Sequence, residues 1–360
     1  IVQRFYYSFR EGFFDYLVDK GVEFRLINAT EPRGKVKVSR EAAGKPFILK
    51  TYYFFIGTFY VVFPFLFFRL IFLNPRVIVS EGGQNTVNNF QIWLYSVIFR
   101  KKYIIWDLGK GYADFGSSFS RGIYMKVYIR ILKRASFVFG YNNQSKSYFE
   151  SLGIDSGKII VLNNTIDTRK IAALKKEYVS TVPEELKEYK NDGYIFLIFV
   201  GALARTKNIE SLAPLMRGLG PEYFLIIVGD GPEDYMKELE ECFKGTNHLF
   251  AGYKKNEQLF PYYDLASFAV LPGLGGLSIN QAMAFGVPVV CKSADGAEKD
   301  LVRNDETGYI FNEVDDACSY IKSRSRAEWE AMGRNAETLL YTEHNVESMM
   351  ERFLLYCNKL

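Results

Sequence analysis

From residue 22 onward, short β-branched and aromatic runs alternate with longer stretches whose apolar positions recur every three to four residues. Residues 77–80, 103–106, 137–141 and 159–162 are apolar at nearly every position, the pattern of strands buried on both faces, and 22–27, though broken by Glu23 and Arg25, joins them as a strand. Helical patterns lie between them, so a parallel sheet with helices on both sides is predicted. The rhythm pauses over the polar stretch 175–192 and restarts with strands at 195–200, 224–228, 249–252, 268–271 and 287–290. Two doubly wound α/β domains follow, 1–165 and 166–345, hinged near 165–193. Helical patterns at 326–340 and 345–360 have no strand between them, and the last segment, 346–360, is expected to cross back to the first domain.

One segment breaks the alternation. Residues 52–68, YYFFIGTFYVVFPFLFF, are uncharged and are followed by Arg69. They sit at the lower limit for spanning a bilayer, carry Gly57 and Pro64, and are rich in Tyr, which prefers the interface. A spanning helix here would also split the first sheet, so it is rejected. A covering helix is predicted instead, either wholly buried or with an outer aromatic face at a membrane surface, helped by Arg69, Arg76, Arg100, Lys101 and Lys102.

A chain of 360 residues with 24% charged residues and a mean hydropathy of −0.06 excludes disorder for most of its length. Its 16% aromatic content is high. Cys242, Cys291, Cys318 and Cys357 form no C-x-x-C pair, which predicts reduced thiols rather than disulfides or a zinc site. With only His248 and His344, a histidine-based metal centre is not expected either. The chain begins at Ile1 inside an apolar run, and residues preceding it are expected. Residues 1–165 carry 23 Lys and Arg against 11 Asp and Glu, giving +12, and the remainder carries 22 against 30, giving −8. The basic half suits a phosphorylated substrate or an anionic membrane surface. Its cations form no recognition helix, so nucleic acid is not an expected partner.

Three segments of the second half carry candidate chemistry. FVGALARTKN takes a strand into Gly201 and a loop with Arg205 and Lys207, two cations at the carboxyl edge of a parallel sheet, suited to a diphosphate. In LIIVGDGPEDY, Gly229 and Gly231 make a tight strand exit and Pro232 opens a helix, a structural explanation in full. In FAVLPGLGGLSINQAMAFGVPVV, strand, glycine loop and helix follow one another. The amides of Gly275, Gly276 and Leu277 would then stand at a helix N-terminus, a natural anion site. Ser278 and Gln281 read equally as an S-x-x-Q capping box or as ligand contacts.

The succession G-x-L-x-x-x-K (201–207), V-G-D-G-P (228–232), the Gly252-Tyr253 loop, L-P-G-x-G-G-L, A-M-A-x-G-x-P-V-V (282–290) and E-T-G-Y-I-F (306–311) resembles the donor domain of glycosyltransferase family 4. The likeness runs over about 195–312. More loosely, Q-R-F-Y-Y-S-F-R-E-G-F-F resembles that family's first strand-to-helix loop, and V-L-N-N-T-I-D its crossing into the second domain. The resemblance implies a GT-B fold, two Rossmann-like domains facing across a cleft, and metal-independent, retaining transfer of a sugar from a nucleoside diphosphate sugar. It implies Lys207, Arg205 and helix-end amides as the diphosphate site, with backbone near Gly252 and Tyr253 reading the base. The family usually carries two Glu where this chain has Gly273 and Gln281; Gln281 can still reach a ribose hydroxyl, whereas Gly273 offers no carboxylate. Many relatives place a His near the reacting sugar, and residues 1–165 hold none. Asp107 is the substitute candidate for acceptor binding or general base, with a turn-forming Asp at a strand end as the competing explanation.

For the acceptor, the basic loops of the first half supply Arg4, Arg10 and Lys110, near residues 81–84. A lipid-linked, phosphate-bearing glycan would account for cations, aromatic segment and charge asymmetry together. A peripheral protein at the inner face of a membrane, building cell-surface polysaccharide, is therefore expected. The competing expectation is a non-catalytic binding or scaffolding subunit of the same fold that has lost its carboxylates.

Overall fold

The apolar runs of the first half pair as a parallel sheet. The computed structural model describes residues 1–29, 45–56, 60–109, 118–254, 256–294 and 296–360. Two compact units emerge, one of Ile1–Asp167 with Val346–Leu360, the other of Thr168–Asn345. In the first, the strands are β1 (Val2–Phe5), β2 (Leu26–Ala29), β3 (Ile48–Leu49), β4 (Phe54–Ile56), β5 (Tyr60–Val62), β6 (Val77–Glu81), β7 (Lys102–Asp107), β8 (Phe137–Gly140) and β9 (Ile159–Val161). Seven of them form one sheet in the order β3-β2-β1-β6-β7-β8-β9, while β4 and β5 make a separate antiparallel pair.

Alternation of side chains across each strand feeds two cores. Helices α1 (Glu11–Asp19), α2 (Leu66–Leu73), α3 (Thr86–Phe99), α4 (Ser118–Arg134) and α5 (Asn143–Ser151) divide between the two faces. Ile78, Ile105 and Val138 meet Leu70 of α2, Ile92 of α3, Leu132 of α4 and Phe149 of α5. Their neighbours Val79, Ile104 and Phe139 turn to the other face, against Phe14 and Leu17 of α1.

The second unit holds β10 (Ile195–Val200), β11 (Tyr223–Val228), β12 (His248–Gly252), β13 (Ala266–Leu271), β14 (Val289–Lys292) and β15 (Gly308–Phe311), all parallel in the order β12-β11-β10-β13-β14-β15. Its helices are α6 (Thr168–Glu177), α7 (Lys187–Asn191), α8 (Leu212–Leu219), α9 (Glu233–Cys242), α10 (Phe260–Leu265), α11 (Leu277–Ala284), α12 (Ala297–Leu301), α13 (Val314–Lys322) and α14 (Arg326–Glu343). Ser325 caps α14 in a capping box with Glu328. The chain then returns to the first unit as α15 (Val346–Asn358), whose Phe353 packs on Phe13, Trp106 and Phe139 at ring separations of 5.0, 5.9 and 5.6 Å.

Segment 52–68 does not form one covering helix. Its first half gives the β4–β5 pair, and a helix of eight residues, α2, starts only at Leu66. Aromatic and β-branched residues favour extended backbone, and Pro64, with no N–H to donate, stands between the second strand and the helix. Val61, Val62 and Phe63 are buried, whereas Tyr52, Phe54, Phe65 and Phe68 are exposed. Among the described residues no helix is long and apolar enough to cross a membrane.

Candidate functional site

In the second unit, β10 and β13 are sheet neighbours, so the loops leaving their carboxyl ends run side by side. After β10, Arg205–Lys207 forms a single 3-10 turn and Asn208 takes a left-handed conformation at φ 51°. After β13 comes the glycine loop. Three contacts stitch the two together: Leu274 N donates to Thr206 O at 3.2 Å, Asn208 Nδ2 to Pro272 O at 3.5 Å, and Lys207 Nζ to Leu274 O. The approach requires Gly273, because a Cβ there would stand 2.6 Å from the carbonyl carbon and oxygen of Lys207 and 2.7 Å from Thr206 O. The room left by Gly273 is thus taken up by the backbone that bears Lys207.

Gly276 at φ 55° and ψ −138° is the N-cap of α11, a conformation natural only to glycine. No side chain caps this helix, so of the two readings of Ser278 and Gln281 the S-x-x-Q capping box does not form: Ser278 lies inside the first turn. Ser278 N and Ile279 N turn back onto Gly275 O and Gly276 O at 3.3 Å. The amides of Gly276 and Leu277 stand at the positive end of the helix, and Lys207 is bonded to Leu274 of the same loop. Ser278 on that first turn and Gln281 at the start of the next are both half-buried. Ser278 Oγ would be 3.6 Å from a Cβ at Gly201, which places it by the exit of β10.

Arg205 points away along α9. Its guanidinium makes two bonds to Glu238, at 3.0 and 2.6 Å, and lies 4.9 Å from the Tyr235 ring centre. The hydrogen bond from Arg205 holds the Glu238 carboxyl below its usual range. Both groups are exposed, so the pair adds little stability. Gly252 ends β12 and accepts from Gly229 N at 3.0 Å, and Tyr253 beside it is exposed.

The first unit gathers polar groups at the carboxyl edge of its own sheet, in an arrangement the sequence did not announce. Arg4 on β1 donates to Glu81 on β6 from its backbone N at 2.7 Å, Nε at 3.1 Å and Nη2 at 2.7 Å, and Tyr7 OH adds a bond at 3.3 Å. Burial raises the Glu81 carboxyl, but Arg4, with a contribution from Arg10, outweighs it and leaves the carboxyl below its usual range. Arg10 is buried, its guanidinium 4.0 Å from the Trp106 ring centre and donating to Tyr141 OH. Neither arginine is a free surface cation of the kind the sequence suggested. Lys110 lies outside the described residues.

Asp107 is 2% exposed, accepting from Tyr128 OH and, at 3.2 Å, from Gly109 N. That carboxylate ties the end of β7 to a turn and to α4. Among the described residues no three His, Cys, Asp or Glu side chains converge on a metal-binding position.

Residues 183–325 match the family model described as glycosyl transferases group 1. Solved structures with the same architecture include Anabaena HepE in complex with UDP-glucose, 16% identical over 100% of this chain and 99% of that one, with a TM-score of 0.72. A glycosyltransferase from Rickettsia africae is 13% identical, covers 99% and 97%, and scores 0.73. Sucrose-phosphate synthase from Thermosynechococcus elongatus is 16% identical, covers 95% and 90%, and scores 0.67. No curated protein sequence matches the chain. The chain has the GT-B fold of these glycosyltransferases, built from two Rossmann-like units.

Proposed function

We propose that this chain is a retaining, metal-independent glycosyltransferase that moves a sugar from a nucleoside diphosphate sugar to a membrane-associated, lipid-linked glycan in cell-surface polysaccharide synthesis, at the inner face of the membrane. One observation carries the reading: Lys207 is bonded to the glycine loop whose next residues open α11. As the anomeric C–O bond breaks, the electron pair stays on the departing diphosphate. Lys207 and the amides of Gly276 and Leu277 then meet that charge in a preorganised arrangement. The family match falls on this unit, and HepE, of the same fold, was solved with UDP-glucose.

The other candidates take graded roles. Arg205 reaches a diphosphate only by exchanging Glu238 for it. Ser278 and Gln281, uninvolved in capping, are placed for donor hydroxyls, with the backbone of Gly201, Gly252 and Tyr253 framing the nucleotide. Asp107 acts by positioning its turn. Arg10, buried on Trp106, contributes positive potential to the acceptor side, to which Lys110 also belongs in this proposal. Arg4 holds Glu81.

A thermal-shift panel of UDP, GDP, dTDP and CDP tests the reading, since a bound nucleotide raises the melting temperature. Losing a charge-assisted bond, worth about 1.5–3 kcal/mol, should weaken the stabilising nucleotide roughly 10- to 150-fold in Lys207→Ala. If none of the four stabilises the wild type, the donor site is wrong. Nucleotide binding without transfer or donor hydrolysis, using radiolabelled nucleotide sugars and a membrane extract, would select the non-catalytic subunit instead.

A further inference from the structure

The layer of helices covering one face of the first sheet has an unusual outer surface. Phe65, Phe68 and Phe72, at the start of α2 and along it, are exposed, Phe72 by 86%. Spacings of three and four residues put them on one stripe. On α3, Phe90, Leu94, Val97 and Ile98 form a second exposed stripe with the same spacing. The helices lie side by side, Phe67 of α2 meeting Tyr95 and Phe99 of α3 at ring separations of 6.2 and 6.4 Å. Inward-facing Leu66, Leu70, Ile92 and Tyr95 already satisfy the core, so these outer aromatics are surplus to it. Exposed apolar residues scattered singly need no explanation, but two adjoining stripes do.

Charge supplies the second, independent observation. None of α2, α3 and α4 contains an acidic residue. Arg100 and Lys101 follow α3, and α4, packed beside α3, presents exposed Lys126, Arg130, Lys133 and Arg134. An apolar stripe bordered by cations and free of carboxylates is repelled by nothing on an anionic surface, and it matches the depth profile of a lipid leaflet: hydrocarbon below, phosphates above. A second protein surface would more often be met with charges of both signs.

We propose that the α2–α3 face docks on a bilayer of anionic phospholipid, with α2 and α3 lying in the plane of the interface and the cations of α4 among the phosphates. The membrane contact is therefore a two-helix surface in which α3 contributes as much as the aromatic segment before it. It rests on the proposed function only in taking the acceptor to be lipid-borne.

Co-sedimentation of the full chain with vesicles of phosphatidylglycerol and phosphatidylcholine, against phosphatidylcholine alone, tests it. Binding should require the anionic lipid and weaken as salt rises. Phe72→Ser and Val97→Ser, both at exposed positions, should each lower vesicle affinity about tenfold with the melting temperature unchanged. Arg130→Glu with Arg134→Glu should abolish the preference for phosphatidylglycerol. No binding to anionic vesicles at low salt, or equal binding by wild type and the Phe72→Ser/Val97→Ser variant, overturns the proposal. So does a dimer in size-exclusion chromatography that the same variant dissociates without any wild-type vesicle binding, which would assign the face to a second copy. Vesicle binding is measured without nucleotide and the nucleotide shift without vesicles, so either reading can fail alone.

Discussion

Replacing Gly273 by Ala asks whether the donor site depends on two loops being pressed together. A Cβ at 273 would lie 2.6 Å from the backbone carbon and oxygen of Lys207. Ordinary contact begins near 3.4 Å, so the loops must part by about 0.8 Å, and the obstacle is backbone, not a side chain that can swing away. Overpacking of this kind costs about 1–3 kcal/mol. The two bonds it strains, Leu274 N to Thr206 O and Lys207 Nζ to Leu274 O, are worth about 1 kcal/mol each. The sum is about 3–5 kcal/mol against the second unit, which at roughly 2–4 °C per kcal/mol lowers its melting temperature by about 6–20 °C. Displacement of Lys207 by nearly an ångström, if it costs the charge-assisted bond to the diphosphate, should also weaken nucleotide binding by up to about 150-fold. Calorimetry of Gly273→Ala and a titration with the stabilising nucleotide measure both quantities. Gly273→Glu, which inserts the resembling family's residue, should behave worse and not better. An alanine variant that melts like the wild type and keeps its nucleotide affinity would refute the coupling.

Two further predictions concern the first unit and acid stability. Glu81→Gln leaves the Arg4 guanidinium, 15% exposed, without its counter-charge and near Arg10; a cost of about 3 kcal/mol is expected in denaturant unfolding, and under 1 kcal/mol would show the pair to be unimportant. Glu81 and Glu328 both titrate below the ordinary carboxylate value of 4.5, Glu328 at about 2 because backbone and side-chain hydrogen bonds from Ser325 and then Arg324 favour its charged form. Groups so depressed add stability that is complete above the unfolded value and lost as pH falls through the folded one. Unfolding free energy should therefore fall between pH 4.5 and about 2, and Glu81→Gln should flatten that slope.

The sheets were legible because strands buried on both faces are apolar at every position, a signal that survives without any partner. The runs at 77–80, 103–106 and 195–200 recur as β6, β7 and β10. Val2–Phe5 was not, because Gln3 and Arg4 interrupt a run of only four residues, and only its register with Ile27 and Ser80 identifies it. The aromatic stretch misled for a related reason: apolar on every side, it carries no period to separate strand from helix. Within the site, Lys207 and the glycine loop could be paired from their places at neighbouring strand ends. The Arg4–Glu81 contact could not, since it joins residues 77 positions apart and only strand order reveals them as neighbours. Gly273 shows the converse limit, because a glycine in sequence does not say whether ligand or backbone occupies the room it leaves.

The return of α15 to the first unit has a consequence for synthesis. Phe13, Trp106 and Phe139 leave the ribosome early, but the phenylalanine that seals them, Phe353, emerges only after all of Thr168–Asn345 has been made. At roughly 5–20 residues per second, this apolar seam stays open to chaperones, and to other nascent chains, for about ten to forty seconds.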